Sequence, residues 1–192
     1  VFGGYACMKK DKFFPLLLLH FVAFFIHKSS ICFLLLYFAK YVRINKLYWS
    51  VSIGTIALSF IFRRQFMAFL GELLGYESYV DWNGTVGAYT FTLLLTLLYL
   101  ATMLLYRKLP QNVDTDYAVV ALTLAMVFVS FTYVNPSAMR VVQYFSLFIM
   151  ILVPKFLQLL DARSRFLTLC VCYAVLILPL VSKMPEYAFV FS

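Results

Sequence analysis

From Phe13 to Tyr41 the chain is apolar on both sides of one polar tetrad, His27-Lys28-Ser29-Ser30, with His20 and Lys40 as single exceptions. The arms beside the tetrad have 14 and 11 residues, where a membrane-crossing helix needs about 20. One long tilted helix, two short spans or a re-entrant pair would each fit. Tyr48 to Phe62 is the next apolar run, closed by Arg63-Arg64. Phe66, Phe69, Leu70, Leu73 and Leu74 then recur at helical spacing, which predicts an amphipathic helix lying in the interface. A polar, aromatic loop over 76–84 follows. Further apolar runs cover Val86 to Tyr106, Tyr117 to Val134, Val141 to Leu160 with Pro154 inside it, and Phe166 to Val181. None shows the dyad alternation of barrel strands. The pattern predicts an all-α fold, a polytopic transmembrane helical bundle of about seven crossings with a short or re-entrant first pair.

Composition narrows this further. With 64% hydrophobic and 12% charged residues the chain lies outside the soluble globular range. Residues 1–192 therefore read as a single integral membrane domain. The net charge of +8 does not point to nucleic acid, because the cations sit in short clusters between apolar runs. Alternating sides along the chain groups the clusters at 9–12, 40–46, 107–116 and 155–165. That face carries eleven of the 16 Lys and Arg residues, against five for Lys28, Arg63, Arg64, Arg140 and Lys183. The positive-inside rule makes the richer face cytoplasmic and sends the tetrad outward. The chain begins at Val1 with no basic segment and cleavage site before the first apolar run, so it is expected to be the C-terminal part of a longer protein.

The outward cations need a second explanation, since retention does not supply one. Arg63 and Arg64 suit interfacial anchors, and Arg140 suits a snorkelling end residue, an ion pair or a ligand for an anion. Together with His27, Lys28 and Ser29 they would suit a diphosphate at headgroup level, because arginine pairs phosphate oxygens through two parallel bonds. Asp81 and Trp82 in the polar loop offer a carboxylate beside a flat aromatic face, a pairing that holds sugar rings. His20 reads as a core histidine bonded across helices. Cys7, Cys32, Cys170 and Cys172 show no metal or redox spacing, no ligand cluster suggests a metal, and no glycine loop suggests a nucleotide. No cofactor is expected.

His27-Lys28-Ser29 inside an apolar run, Arg140 followed by Tyr144-Phe145 and then Pro154, and Pro185-Glu186-Tyr187 near the end resemble the C-terminal half of the EpsG-like, Wzy-type polysaccharide polymerases. Ile26 stands where that family often has an aromatic residue and Ser30 where it often has alanine. The resemblance implies glycosyl transfer at the outer face of a bacterial cytoplasmic membrane, joining oligosaccharide units carried on undecaprenyl diphosphate. It implies His27 as base and Arg140 as diphosphate ligand, with Lys28, Ser29, Arg63, Arg64, Tyr144, Asp81 and Trp82 binding substrate. Implied partners are the lipid-linked glycan, membrane lipid, a chain-length regulator and other polysaccharide assembly proteins. Two other readings use the same charges: a transporter or flippase of lipid-linked sugars, and a non-catalytic truncated membrane protein.

Overall fold

The structure is a computed structural model that describes residues 1–74 and 88–170. The chain divides into two compact units, Val1–Leu152 and Val153–Ser192. All regular elements among the described residues are helices: α1 (Phe2–Lys9), α2 (Phe13–Ile26), α3 (Lys46–Ile61), α4 (Arg63–Leu74), α5 (Tyr89–Leu105), α6 (Val113–Val129), α7 (Met139–Ser146) and α8 (Ile149–Gln158), joined by 3-10 segments. Asp81, Trp82 and Lys183, the run from 171 to 181 and the closing Pro185-Glu186-Tyr187 lie outside the described residues.

The first unit is built around α6. Residues Tyr117 to Thr123 are buried without a break, so all sides of this helix are covered. Its apolar, small and β-branched surface lets α3, α5, α7 and the 3-10 helix Lys28–Tyr41 approach. Asn112 caps its start by accepting from the Thr115 amide at 2.9 Å, and Asp114 and Asp116 place negative charge in the first turn. Those same acids gather the chain's other elements. Tyr5 donates to Asp114 at 2.5 Å and Lys9 pairs with it at 2.8 Å. Tyr106, following α5, donates to Asp116 at 2.7 Å.

Beside this end, α1 closes in a Schellman turn. The Lys12 amide reaches the Cys7 carbonyl at 2.9 Å, and Asp11 takes φ 53. Asp11 then pairs with Lys40 from the far end of the hairpin. Three of the basic clusters expected on one face, 9–12, 40–46 and 107–116, are thus drawn to the same end of the unit.

The tetrad is the apex of a helical hairpin. His27 takes an extended conformation (φ −152, ψ 105) after α2, and the return limb Lys28–Tyr41 is a 3-10 helix of 14 residues. Four residues are usual for that form. Its buried positions are Ser30, Phe33, Leu36 and Ala39, a spacing of three that runs straight along a 3-10 helix. In an α-helix the same four would fan over about 180° and could not share one contact. The form also adds length. At about 2.0 Å per residue the limb spans about 28 Å, close to the hydrocarbon thickness, where an α-helix would span about 21 Å. Phe33 locks it in place, stacking on His20 at 5.5 Å and on Phe145 at 6.2 Å.

Two expectations change and one holds. His20 is buried as expected, but its Nδ1 bonds within its own helix, to the Leu16 carbonyl at 2.8 Å; what crosses to the next helix is the ring stack on Phe33. The amphipathic segment is confirmed as a helix, and its Phe66 stacks on Phe131 at 4.9 Å. By length and composition two described helices, Tyr89–Lys108 and Val113–Tyr133, can cross a membrane, or three if the bent pair Pro136–Ser146 and Ile149–Gln158 makes one span. The shorter apolar helices Phe13–Ile26 and Lys46–Ile61 fall below that length, so the seven crossings expected are not reached among the described residues.

In the second unit, residues 162–170 are helical, and Asp161 caps them by accepting from the Ser164 amide at 3.2 Å. Arg165 donates to the carbonyls of Leu157 and Leu160, satisfying the end of α8.

Candidate functional site

Two elements of the first unit make the site: the hairpin apex at 27–29 and the first turns of α7. Asn135 fixes the second of these. It is buried, and its side chain accepts from the Ser137 amide at 2.8 Å, capping the short 3-10 turn Pro136–Ala138 that leads into α7. Pro136 occupies the first helical position, where its missing N–H costs nothing. The turn therefore enters α7 in a set direction.

Arg140 and Tyr144 are one turn apart on α7 and so lie on the same face. Both reach the apex. Arg140 Nη1 lies 3.3 Å from His27 Nε2, and the Tyr144 hydroxyl lies 3.4 Å from Ser29 Oγ. The next residue, Phe145, points the other way and is fully buried between Phe33 and Phe128, with ring centroids at 6.2 and 5.6 Å. This divides the labour of the Arg-x-x-x-Tyr-Phe segment: arginine and tyrosine face the apex, and phenylalanine anchors the helix that carries them.

The chemistry of the contact follows from its partners. A guanidinium only donates, so His27 Nε2 is the acceptor and the ring proton sits on Nδ1. Among the described residues His27 is the one polar partner of Arg140, leaving the rest of its donor fork for a ligand. His27, Ser29 and Tyr144 are half-buried, while Lys28 and Arg140 are exposed. The arrangement can bind an anion beside a neutral imidazole.

Arg63 and Arg64 open α4, reached from the end of α3. The Arg63 guanidinium lies over the Tyr133 ring at 5.7 Å, and Tyr133 in turn donates to Thr92 at 2.9 Å. Arg63 is therefore held beside the segment leading to α7, whereas Arg64 is exposed. Among the described residues Glu72 is the one carboxylate expected on this face, against Lys28, Arg63, Arg64 and Arg140.

Three residues that place the site carry little signal in the sequence. Asn135 was legible only as part of a turn, although the Asn-Pro pair is an N-cap signal. Tyr133 and Phe33 looked like ordinary aromatic residues of an apolar run and carried no signal. Among the described residues no cluster of three or more His, Cys, Asp or Glu side chains offers a metal site.

Comparison with curated proteins gave no match, and neither did comparison with solved structures. The sequence model of the EpsG family, by contrast, matches residues 1–191, the span that holds the apex, the Asn135 turn and the Arg140 face. This chain, with its helices throughout the described residues, its apolar spans and its paired His27 and Arg140, belongs to the EpsG family.

Proposed function

We propose that the protein is a membrane glycosyltransferase of the polysaccharide-polymerase type, joining lipid-diphosphate-linked oligosaccharide units. The observation that carries this reading is the contact of Arg140 with His27, residues 113 apart in sequence, at one end of the unit. Membership of the EpsG family supports it. In this reading the chain crosses a bacterial cytoplasmic membrane about seven times, with the His27 end outward. The basic clusters at 9–12, 40–46, 107–116 and 155–165 lie in the cytoplasm.

The transfer balances as follows. A hydroxyl oxygen of the acceptor sugar bonds to the anomeric carbon of the donor. The bond from that carbon to the diphosphate oxygen breaks, and its electron pair stays on the diphosphate. Arg140 stabilises the charge developing there, with Lys28 and Arg63 or Arg64 in support. The acceptor proton passes to His27 Nε2. Before substrate binds, Arg140 occupies that lone pair, and a bound diphosphate draws the guanidinium away and frees the base. Ser29, Tyr144, Asp81 and Trp82 hold the sugar units. A chain-length regulator and other assembly proteins would act on the same product.

The test is reconstitution of the purified chain with undecaprenyl-diphosphate-linked repeat units. Lengthening of the glycan that Arg140→Ala and His27→Ala abolish is the expected result. Transbilayer movement of the lipid without lengthening would establish the transporter reading instead, and neither activity would leave a non-catalytic assembly protein.

A further inference from the structure

At the end opposite the His27 apex, two adjoining grooves flank the first turns of α3. One, of about 540 Å³, lies between α3 and α6 and is walled by Leu47, Val51, Val120, Leu124 and Val127, with Arg43 in its lining. The other, of about 700 Å³, lies between α3 and the end of α5 and includes Leu104, Met103, Lys46 and Arg107. Both share Asn45 and Leu47. Leu47, Val51 and Leu104 are 70%, 58% and 74% exposed, so the grooves open sideways toward whatever surrounds the bundle.

The charges around them differ from their neighbours. Lys9 and Lys40, at the same end, are neutralised by Asp114 and Asp11. Arg43, Lys46 and Arg107 are exposed, and among the described residues none has a side-chain hydrogen bond or ion pair. Neither groove is lined by a carboxylate, and the nearby Asp116 is engaged by the Tyr106 hydroxyl. Retention by the positive-inside rule accounts for a basic end. It does not account for three exposed cations lining two adjoining apolar grooves, with no partner among the described residues.

We infer that these grooves form a binding site for one anionic diacyl glycerophospholipid, its phosphate among Arg43, Lys46 and Arg107 and one acyl chain in each groove. Basic pockets between helices at the cytoplasmic side suit such headgroups. The site stands at the opposite end from His27 and is independent of the polymerase reading.

Native mass spectrometry of the full chain in mild detergent, with added phosphatidylglycerol or phosphatidylcholine, tests it. Wild type should retain phosphatidylglycerol in preference. Arg43→Gln alone should lower that affinity about five-fold, the effect of one basic residue at an anionic headgroup, and adding Lys46→Gln and Arg107→Gln should remove the preference. Lys10→Gln with Lys12→Gln, at the same end but outside both grooves, should leave it intact. Equal retention of the two lipids would overturn the site. So would an unchanged preference in the Arg43→Gln protein, an equal loss in the Lys10/Lys12 control, or displacement of the lipid by comparable concentrations of soluble glycerol phosphate.

Discussion

Because Arg140 donates and His27 accepts, the two side chains act as a unit and their substitutions should not add. On the polymerase reading, Arg140→Ala is expected to cost about a hundred- to a thousand-fold in transfer rate. His27→Ala should cost a similar factor, and the double variant little more than either alone, as measured by glycan lengthening in reconstituted membranes. Arg140→Lys should recover only part of the loss, since an ammonium keeps the charge without the planar fork. The Ser29–Tyr144 contact is long for a hydroxyl pair, so Tyr144→Phe should change the rate by about five-fold or less. Ser30 gives the opposite expectation. Its hydroxyl is buried with no partner among the described residues, at the position where the resembling family often carries alanine. Ser30→Ala should leave stability unchanged or raise it by on the order of 1 kcal/mol, read by thermal melting.

At the scale of elements, the helices in the apolar runs were legible because length and hydrophobicity settle them. The start of α6 is written in Asn112, and that of α7 in an Asn135-Pro136 pair that reads in the sequence only as a turn. The 3-10 form of the hairpin's return limb was not legible. Leu34, Leu35 and Leu36 are all apolar, so no period of 3.0 can be told from 3.6 there; the choice is made by Phe33, Leu36 and Ala39 fitting against α2, α6 and α7. The proximity of Arg140 to His27 was likewise absent from periodicity, because it depends on how α7 leaves the Asn135 turn. Asn135→Ala should therefore cost about 1 kcal/mol of stability and, by letting the turn drift, lower transfer more than that loss implies. A packing chain reaches the site from the other side. A methyl added at Gly4 would lie 3.0 Å from Phe33 and 3.1 Å from His20, and Phe33 stacks on Phe145. Larger side chains at Gly4 should weaken folding progressively, read by unfolding in detergent.

At the scale of the whole first unit, its two ends differ in how their charges are used. At the α6 start, acids and bases pair and clamp α1, the hairpin and α6 together; at the apex end, arginines face outward. Lys40 holds the Asp11 carboxyl below its usual value of 3.8. A depressed carboxylate contributes stability that is present above its unfolded pKa and lost as pH falls through the folded one. The clamp should thus hold through neutral and mildly acidic conditions and weaken below about pH 4. Asp11→Asn, which tolerates the left-handed backbone at that residue, should remove that acid-dependent loss in a melting series. Sidedness has its own check. In a chain freed of native cysteines, Lys28→Cys should react with an impermeant maleimide from outside intact cells, and Lys10→Cys should not.

On the seven-crossing reading, the return limb of the hairpin also ties the site to the thickness of the surrounding bilayer. Fourteen residues in the 3-10 form match an ordinary hydrocarbon layer, and relaxing to an α-helix would shorten the limb by about 7 Å while turning its buried stripe out of register. Thin bilayers of short-chain lipids favour the shorter form. That change would pull the apex down and draw Ser29 away from Tyr144. Transfer rates measured across lipids of increasing acyl length should accordingly rise to a plateau near the natural thickness, and a flat profile would show that the limb keeps its form in every membrane.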